Sequence, residues 1–192
     1  MVSNEIKEAT KVAHQQLEKT VVMRLKAIRS QADYADVLKH FYAYFHAIEQ
    51  AIKPFITAEV LPDYAERRNS DYIRQDIESL GGDMNDLPAA QAPEIHSVAA
   101  AFGALYVLEG SIMGGPYIVQ MLQKYGLETG FSFFSGYGEE TREKWATFTA
   151  HMNSAATDEA DKQTVIRTGE ATFAQFEQVF EQSAARKAAS LA

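Results

Sequence analysis

Residues 105–122 read LYVLEGSIMGGPYIVQML. Apolar side chains flank Gly110, Gly114 and Gly115 at helical spacing, and Pro116 follows directly. Each interior glycine costs a helix about 1 kcal/mol relative to alanine, and an interior proline about 3. A segment selected for helix stability alone would not carry them. Glycine leaves the backbone bare, so a flat ligand can lie against it, and it also permits a bend. A close helix–helix crossing through Gly110 and Gly114 fits the same pattern, and the residues themselves leave both readings open.

Outward from this stretch the chain reads as helix after helix. Ser3 is expected to cap the first, with Glu5 and Glu8 near its positive end. From Gln31 to about Ile56, Tyr34, Leu38, Phe41, Phe45, Ile48 and Ile52 recur at spacings of three and four. Pro54 is expected to kink or end that helix. Tyr64 to Leu80 is predicted as one helix closed by Gly81-Gly82. Pro93-Glu94 is expected to open the helix that passes through Val98, Phe102, Leu105 and Leu108. The Gly-, Phe- and Ser-rich residues 129–138 read as a connection, followed by helices at about Glu139–Ser154 and Glu159–Glu181. No internal repeat and no long period-two run is visible. The expectation is an all-α, single-domain multi-helix bundle over residues 1–183, with the Ala-rich residues 184–192 as a frayed or exposed tail.

Composition agrees with one globular domain: 192 residues, 46% hydrophobic and 23% charged. The absence of cysteine removes disulfide frameworks, thiolate zinc sites, Fe–S clusters and cysteine nucleophiles together. A net charge of −8 argues against a nucleic-acid footprint, which needs a basic face. No secretory signal is visible near Met1, and no apolar run approaches the roughly 18 residues of a membrane span. A cytoplasmic protein with no membrane partner is expected.

A second feature lies near the N-terminus. At about 100° per residue, Lys7, Lys11 and His14 fall within roughly 60° of one another on a helix. Glu18, one turn beyond His14, is placed to hydrogen-bond its imidazole, which would fix the tautomer of a metal-ligating nitrogen. The same pattern also describes a solvated helix face with an incidental histidine. Phe131, Phe133 and Phe134, then Phe173, Phe176 and Phe180, form aromatic groups of the kind that usually pack a core. His46 and Glu49 stand three apart, a spacing used in carboxylate-bridged metal sites, but no second such pair occurs. Glu94 and His96 would point to different sides of a helix, and His40 and His151 lack companion motifs. No nucleophile elbow, GxGxxG or P-loop is present.

Ile6 to Glu18, IKEATKVAHQQLE, with Met23-Arg24 after it, resembles the proximal-helix motif of haem oxygenases. Residues 105–115 are similar to the glycine-kinked distal helix of that family in its bacterial form. Gly130–Phe134, His151–Ser154 and Phe173–Phe180 fit in the same order, so the resemblance spans about residues 5–181. It implies haem b as substrate and cofactor, held between the two helices with His14 as axial iron ligand and Glu18 beside it. Lys7 and Lys11, joined by Tyr106, would meet the propionates. Gly110, Gly114 and Gly115 would lie over the distal face, and Met23, Phe134, Phe173 and Phe180 would line the pocket.

The implied reaction opens the macrocycle at a meso carbon with O2 and electrons from an external reductase or ferredoxin. Its products are biliverdin, ferrous iron and carbon monoxide. A neutral histidine ligand avoids the electron push of a thiolate. A monomer is expected, serving iron acquisition or supplying bilin to a phytochrome. Vertebrate-type members carry aspartate directly after the first distal glycine, where this chain has Ser111. Water held near Gly110, Ser111 or His46 is therefore expected to deliver protons. A haem carrier or sensor of the same fold that leaves the ring intact is the alternative. Thiamin-degrading and di-iron relatives of the fold fit less well, for want of a cysteine and of a second carboxylate–histidine set.

Overall fold

The computed structural model describes the backbone of residues 1–190 and the side chains of residues 1–185. Among the described residues the α-helices are α1 (Val2–Ala9), α2 (Lys11–Lys26), α3 (Gln31–Ile52), α4 (Ser70–Ser79), α5 (Val98–Gly110), α6 (Gly115–Lys124), α7 (Thr141–Ala155) and α8 (Glu159–Ser190). Short 3-10 turns lie at Tyr64–Glu66, Ser111–Met113 and Gly138–Glu140. The architecture is all-α, as expected.

Helix α5 is apolar around nearly its whole circumference and is buried from Ala99 to Leu105 and again from Val107 to Glu109. Such a helix belongs in the middle of a bundle. Its main neighbour is α8, and their crossing is set by glycine. A Cβ on Gly103 would lie 2.4 Å from the Val165 carbonyl oxygen. On α8, a Cβ on Gly169 would come within 2.7 Å of Ile6 Cδ1 and 3.5 Å of the Gly103 carbonyl oxygen. The close helix crossing therefore falls at Gly103 and Gly169, not at Gly110 and Gly114.

Several boundaries differ from expectation for identifiable reasons. Ser3 lies inside α1, with Met1 as N-cap, and its amide donates to Asn153 Oδ1 at 3.0 Å. The N-terminal helix breaks at Thr10, whose hydroxyl donates back to the Ile6 carbonyl at 2.7 Å, a bond of the kind that bends helices. Helix α3 is capped by Ser30, which accepts from Asp33 N, and ends at Ile52, ahead of Pro54. Tyr64–Leu80 is not one helix. Arg67 is extended, and α4 starts afresh with the Asn69 side chain as its cap. Ser97, rather than Pro93-Glu94, opens α5 by accepting from Ala100 N. Gly81 has φ +75° and closes α4 as read from the sequence.

Helix α8 continues past Glu181 to Ser190. Ala184 and Ala185 are exposed. The remainder of the expected 184–192 tail lies outside the residues whose side chains are described. Among the described residues no single helix is long and apolar enough to cross a membrane.

Candidate functional site

The segment Val98–Met113 meets α6 at 46°, with the break at Gly114, directly after the Ser111–Met113 turn. Pro116 stands in the first turn of α6, where its missing N–H breaks no helical bond. A buried arginine fixes the bend from behind. Arg68 Nη2 donates to the Leu108 carbonyl at 2.9 Å and to Ser111 Oγ at 2.5 Å, while Nη1 donates to the Phe133 carbonyl at 3.0 Å. Ser111 Oγ in turn donates to the Leu108 carbonyl. Burial pushes the Arg68 pKa down to about 10, which leaves it charged at neutral pH. Its guanidinium lies 4.1 Å from the Phe133 ring centroid.

Beside it, Arg67 pairs with buried Glu109 on α5 and with Asp63, and Tyr137 donates its hydroxyl to Glu109 at 3.1 Å. The loop that carries Phe133 and Phe134 is clamped in turn. Asp76 accepts from Ser132 N, Ser132 Oγ and Phe133 N, and Tyr34 donates to the Gly130 carbonyl at 2.6 Å.

The glycines divide by what stands over them. A Cβ on Gly115 would sit 1.9 Å from the Phe134 carbonyl oxygen, so this glycine lets α6 press against the clamped loop. A Cβ on Gly110 would meet Trp145 at 3.7 Å, an ordinary contact. Over Gly114 the nearest atom is the Ser111 carbonyl oxygen at 4.0 Å, so its flank is open.

Helix α2 lies on α8, held by Thr20 Oγ1 to Glu177 Oε1 at 3.2 Å and Arg24 Nη2 to the Phe180 carbonyl at 3.4 Å. His14 is exposed on it, with its ring edge-on to Phe173 at 5.5 Å. Lys7, Lys11 and Glu18 are exposed as well. Among the described residues none of these four side chains has an ion pair or hydrogen bond, so Glu18 does not hold His14 in this state.

Two junctions tie the proximal and bent segments together. At one end Tyr106 of α5 lies beside Thr10, at the α1–α2 break, and packs 5.6 Å from Trp145; burial raises its phenol pKa. At the other end a solvent-open cavity of about 210 Å³ is lined by Lys26 of α2 and by Tyr117, Gln120, Met121, Lys124 and Tyr125. Val12 and Met23 of α2, Met113 of the Ser111–Met113 turn and Tyr117 of α6 are exposed apolar side chains. Exposed apolar surface of this kind marks candidate binding surface.

The remaining expected residues lie deeper. Phe134 and Phe180 are fully buried, packed edge-on against Phe41, and Phe180 also stacks on His40 at 4.9 Å. Both belong to the aromatic core. His46 is exposed, with Nδ1 3.3 Å from Ser70 Oγ, and is not bonded to Ser111. Sequence reasoning missed Arg67, Arg68, Glu109, Asp76, Lys26 and Lys124. A signal for one existed: Glu109 is the lone acid in the otherwise apolar helix Val98–Gly110 and so demanded a cationic partner.

The donor set fits a tetrapyrrole. No three His, Cys, Asp or Glu side chains converge as ion ligands among the described residues. A lone, unbonded imidazole such as His14 suits a metal that arrives with its other ligands, and the bare flank of Gly114 suits a flat ring.

A family model described as Heme oxygenase matches residues 1–182. A haem oxygenase of Xanthomonas campestris is 30% identical over 145 residues, covering 74% of this chain and 86% of that protein. Haem oxygenase PigA of Pseudomonas aeruginosa is 23% identical over 176 residues, covering 91% and 88%. The NO- and CO-bound haem oxygenase of Neisseria meningitidis superposes with a TM-score of 0.83 at 20% identity, covering 95% of this chain and 91% of that one.

Proposed function

The chain belongs to the haem oxygenase family and is an enzyme that degrades haem, and from that premise we propose that the groove between α2 and α5–α6 takes haem with His14 as axial iron ligand. The observation that carries this is the exposed, unbonded imidazole of His14, set edge-on to Phe173 on α2. Family membership does not favour the carrier or sensor reading.

When bound, haem supplies both the ring to be opened and the iron at which O2 is reduced. The chain's own residues position it. The exposed ammonium groups of Lys7 and Lys11 offer charge to the propionates beside the Tyr106–Thr10 junction. Gly114 lets bare backbone approach the distal face, Gly110 turns its Cβ position toward Trp145, and Met23 covers one edge of the groove. Arg68 and Ser111 fix the bend, so the approach is preorganised rather than formed on binding. Gly115 serves this role indirectly, through its contact with the loop at Phe134.

The proposal includes the products biliverdin, ferrous iron and carbon monoxide. It further includes an external reductase or ferredoxin as electron donor, a monomeric enzyme and a cytoplasmic setting. Both iron acquisition and bilin supply to a phytochrome are served by this product set.

The test is a haem titration followed by visible spectra in air with reductant and catalase present. A saturable Soret band that decays into the broad red absorption of biliverdin is expected. A persistent Soret band would turn the reading into a carrier, and no Soret band would remove the haem site altogether.

A further inference from the structure

Behind Leu105, Leu108 and Glu109 of α5 lies a small interior cavity of about 10 Å³, walled also by Phe45, Glu49, Tyr64, Arg68 and Phe133. That is about the space of one water molecule, which also needs two to four polar partners. Glu49, Tyr64, Arg68 and Glu109 are polar groups of this wall. Arg68 is 93% buried and uses both terminal nitrogens of its fork, yet its Nε–H has no partner within the protein. A buried donor left unmet costs about 1–3 kcal/mol, more for a charged group, and native proteins seldom leave one so. Glu49 retains acceptor capacity. Its carboxylate takes Ser70 N at 2.7 Å on Oε1 and Ser70 Oγ at 2.5 Å on Oε2, where a carboxylate offers about four acceptor sites.

We propose that this cavity is a specific site for one water molecule that accepts the Arg68 Nε–H and donates to Glu49, making Glu49 a positioning residue for Leu108–Ser111, the stretch that leads into the bend. The water completes the arginine's third side. With all three sides held, the guanidinium has one orientation, and that orientation sets where Leu108 and Ser111 stand. The link to haem chemistry rests on reading this bend as the distal wall, but the water and its effect on the helix do not. Burial raises the Glu49 pKa, opposed by the hydrogen bonds from Ser70. The groups facing this carboxyl are His46 on its own helix, Asp71 on α4, and Tyr64, Arg68 and Glu109 around the cavity. Protonating Glu49 removes the charge the water points to, so Arg68 and the bend should respond to the same titration.

The test uses the haem-free full chain, so failure of the haem reading leaves it intact. In ¹⁵N-labelled protein the Arg68 Nε–H is expected to show a cross-peak to a long-lived water. Its chemical shift, and those of the Ile112–Gly115 amides, should follow one titration, displaced upward from that of a free glutamate. In Glu49→Gln the cross-peak persists, because a carboxamide oxygen still accepts, while the titration disappears from both sets of signals. A His46→Gln variant should keep it, which separates the two groups. No water cross-peak in the wild type would overturn the site. A titration that survives in Glu49→Gln, or reaches Arg68 but leaves the Ile112–Gly115 amides flat, would overturn the positioning role.

Discussion

Ser111 Oγ accepts a hydrogen bond from Arg68 Nη2 at 2.5 Å and donates to the Leu108 carbonyl at 2.6 Å. The hydroxyl is thus engaged on both sides in bracing the bend, where the sequence alone suggested a hand in proton delivery. Ser111→Ala is expected to lower stability by about 1 kcal/mol and to leave the rate of ring opening within about twofold. Arg68→Met strips the Phe133 carbonyl and the bend of their donor, so a larger loss of about 1–3 kcal/mol is expected, with a changed ratio of biliverdin isomers. Urea unfolding and product chromatography check both. A Ser111→Ala enzyme with a tenfold slower ring opening at full stability would return the hydroxyl to the chemistry.

His14 is exposed and touches one ring edge, so the haem-free fold owes it little. His14→Ala should leave the unfolding midpoint unchanged or slightly raised, since alanine is the better helix former by about 0.5 kcal/mol. Ring opening should vanish. Circular dichroism and a single-turnover assay separate the two effects, and a variant that still makes biliverdin at the original rate would remove His14 from the site.

Adjacent glycines should fail differently. Gly115→Ala places a methyl against the Phe134 carbonyl oxygen, 1.9 Å from the ideal Cβ, and overpacking of this kind costs about 1–3 kcal/mol. Gly114 has helical dihedrals and an open flank. Gly114→Ala should therefore keep or gain stability, by up to about 1 kcal/mol, while weakening haem affinity. Thermal melts of haem-free protein, paired with Soret titrations, read the contrast. Equal losses of stability in both would mean that Gly114 also serves packing.

The proposed placement of haem puts two pairs of lysines at opposite ends of its groove, the exposed Lys7 and Lys11 at one and the cavity-lining Lys26 and Lys124 at the other. Propionates seated beside Tyr106 make Lys7→Ala with Lys11→Ala cost about tenfold in haem affinity, equivalent to about 1.4 kcal/mol. Lys26→Ala with Lys124→Ala should change it less than twofold. The reverse outcome would turn the haem round in its plane and expose a different meso carbon.

The all-α fold and the bend are legible in the sequence because glycine and proline carry a backbone penalty that apolar periodicity throws into relief. Gly103 and Gly169 carry the same penalty but escaped notice, since only the packing of α5 on α8 shows why they are needed. Arg67-Arg68 is harder still. In sequence it reads as a pair of surface cations inside a helix. Its burial follows from acceptors 40 and 65 residues away, at Leu108 and Phe133, and no local pattern encodes contacts of that range. Lys7, Lys11, His14 and Glu18 are readable as a face because helical geometry is local, whereas the absence of a Glu18–His14 bond depends on rotamers.

Asp63 links acid conditions to the distal helix. It accepts from Arg67 Nε and Nη2 at 3.0 Å and from Lys144 Nζ at 3.1 Å. Burial opposes its charge, but the bonds from Arg67 and Lys144 prevail and hold its carboxyl below the usual value of 3.8. The unfolded chain therefore binds the Asp63 proton more readily than the folded one, and stability from this group rises with pH. It is fully present above the unfolded pKa of about 3.9 and lost as pH falls through the lower folded value. The stability gap between wild type and Asp63→Asn should be flat from about pH 7 to 5 and close below about pH 4. Because Arg67 also holds Glu109 on α5, amide protection factors near Glu109 should fall over the same acid range in the wild type. Urea unfolding at stepped pH, with hydrogen exchange alongside, checks both. A gap that persists undiminished at pH 3 would mean that Asp63 acts through shape rather than charge.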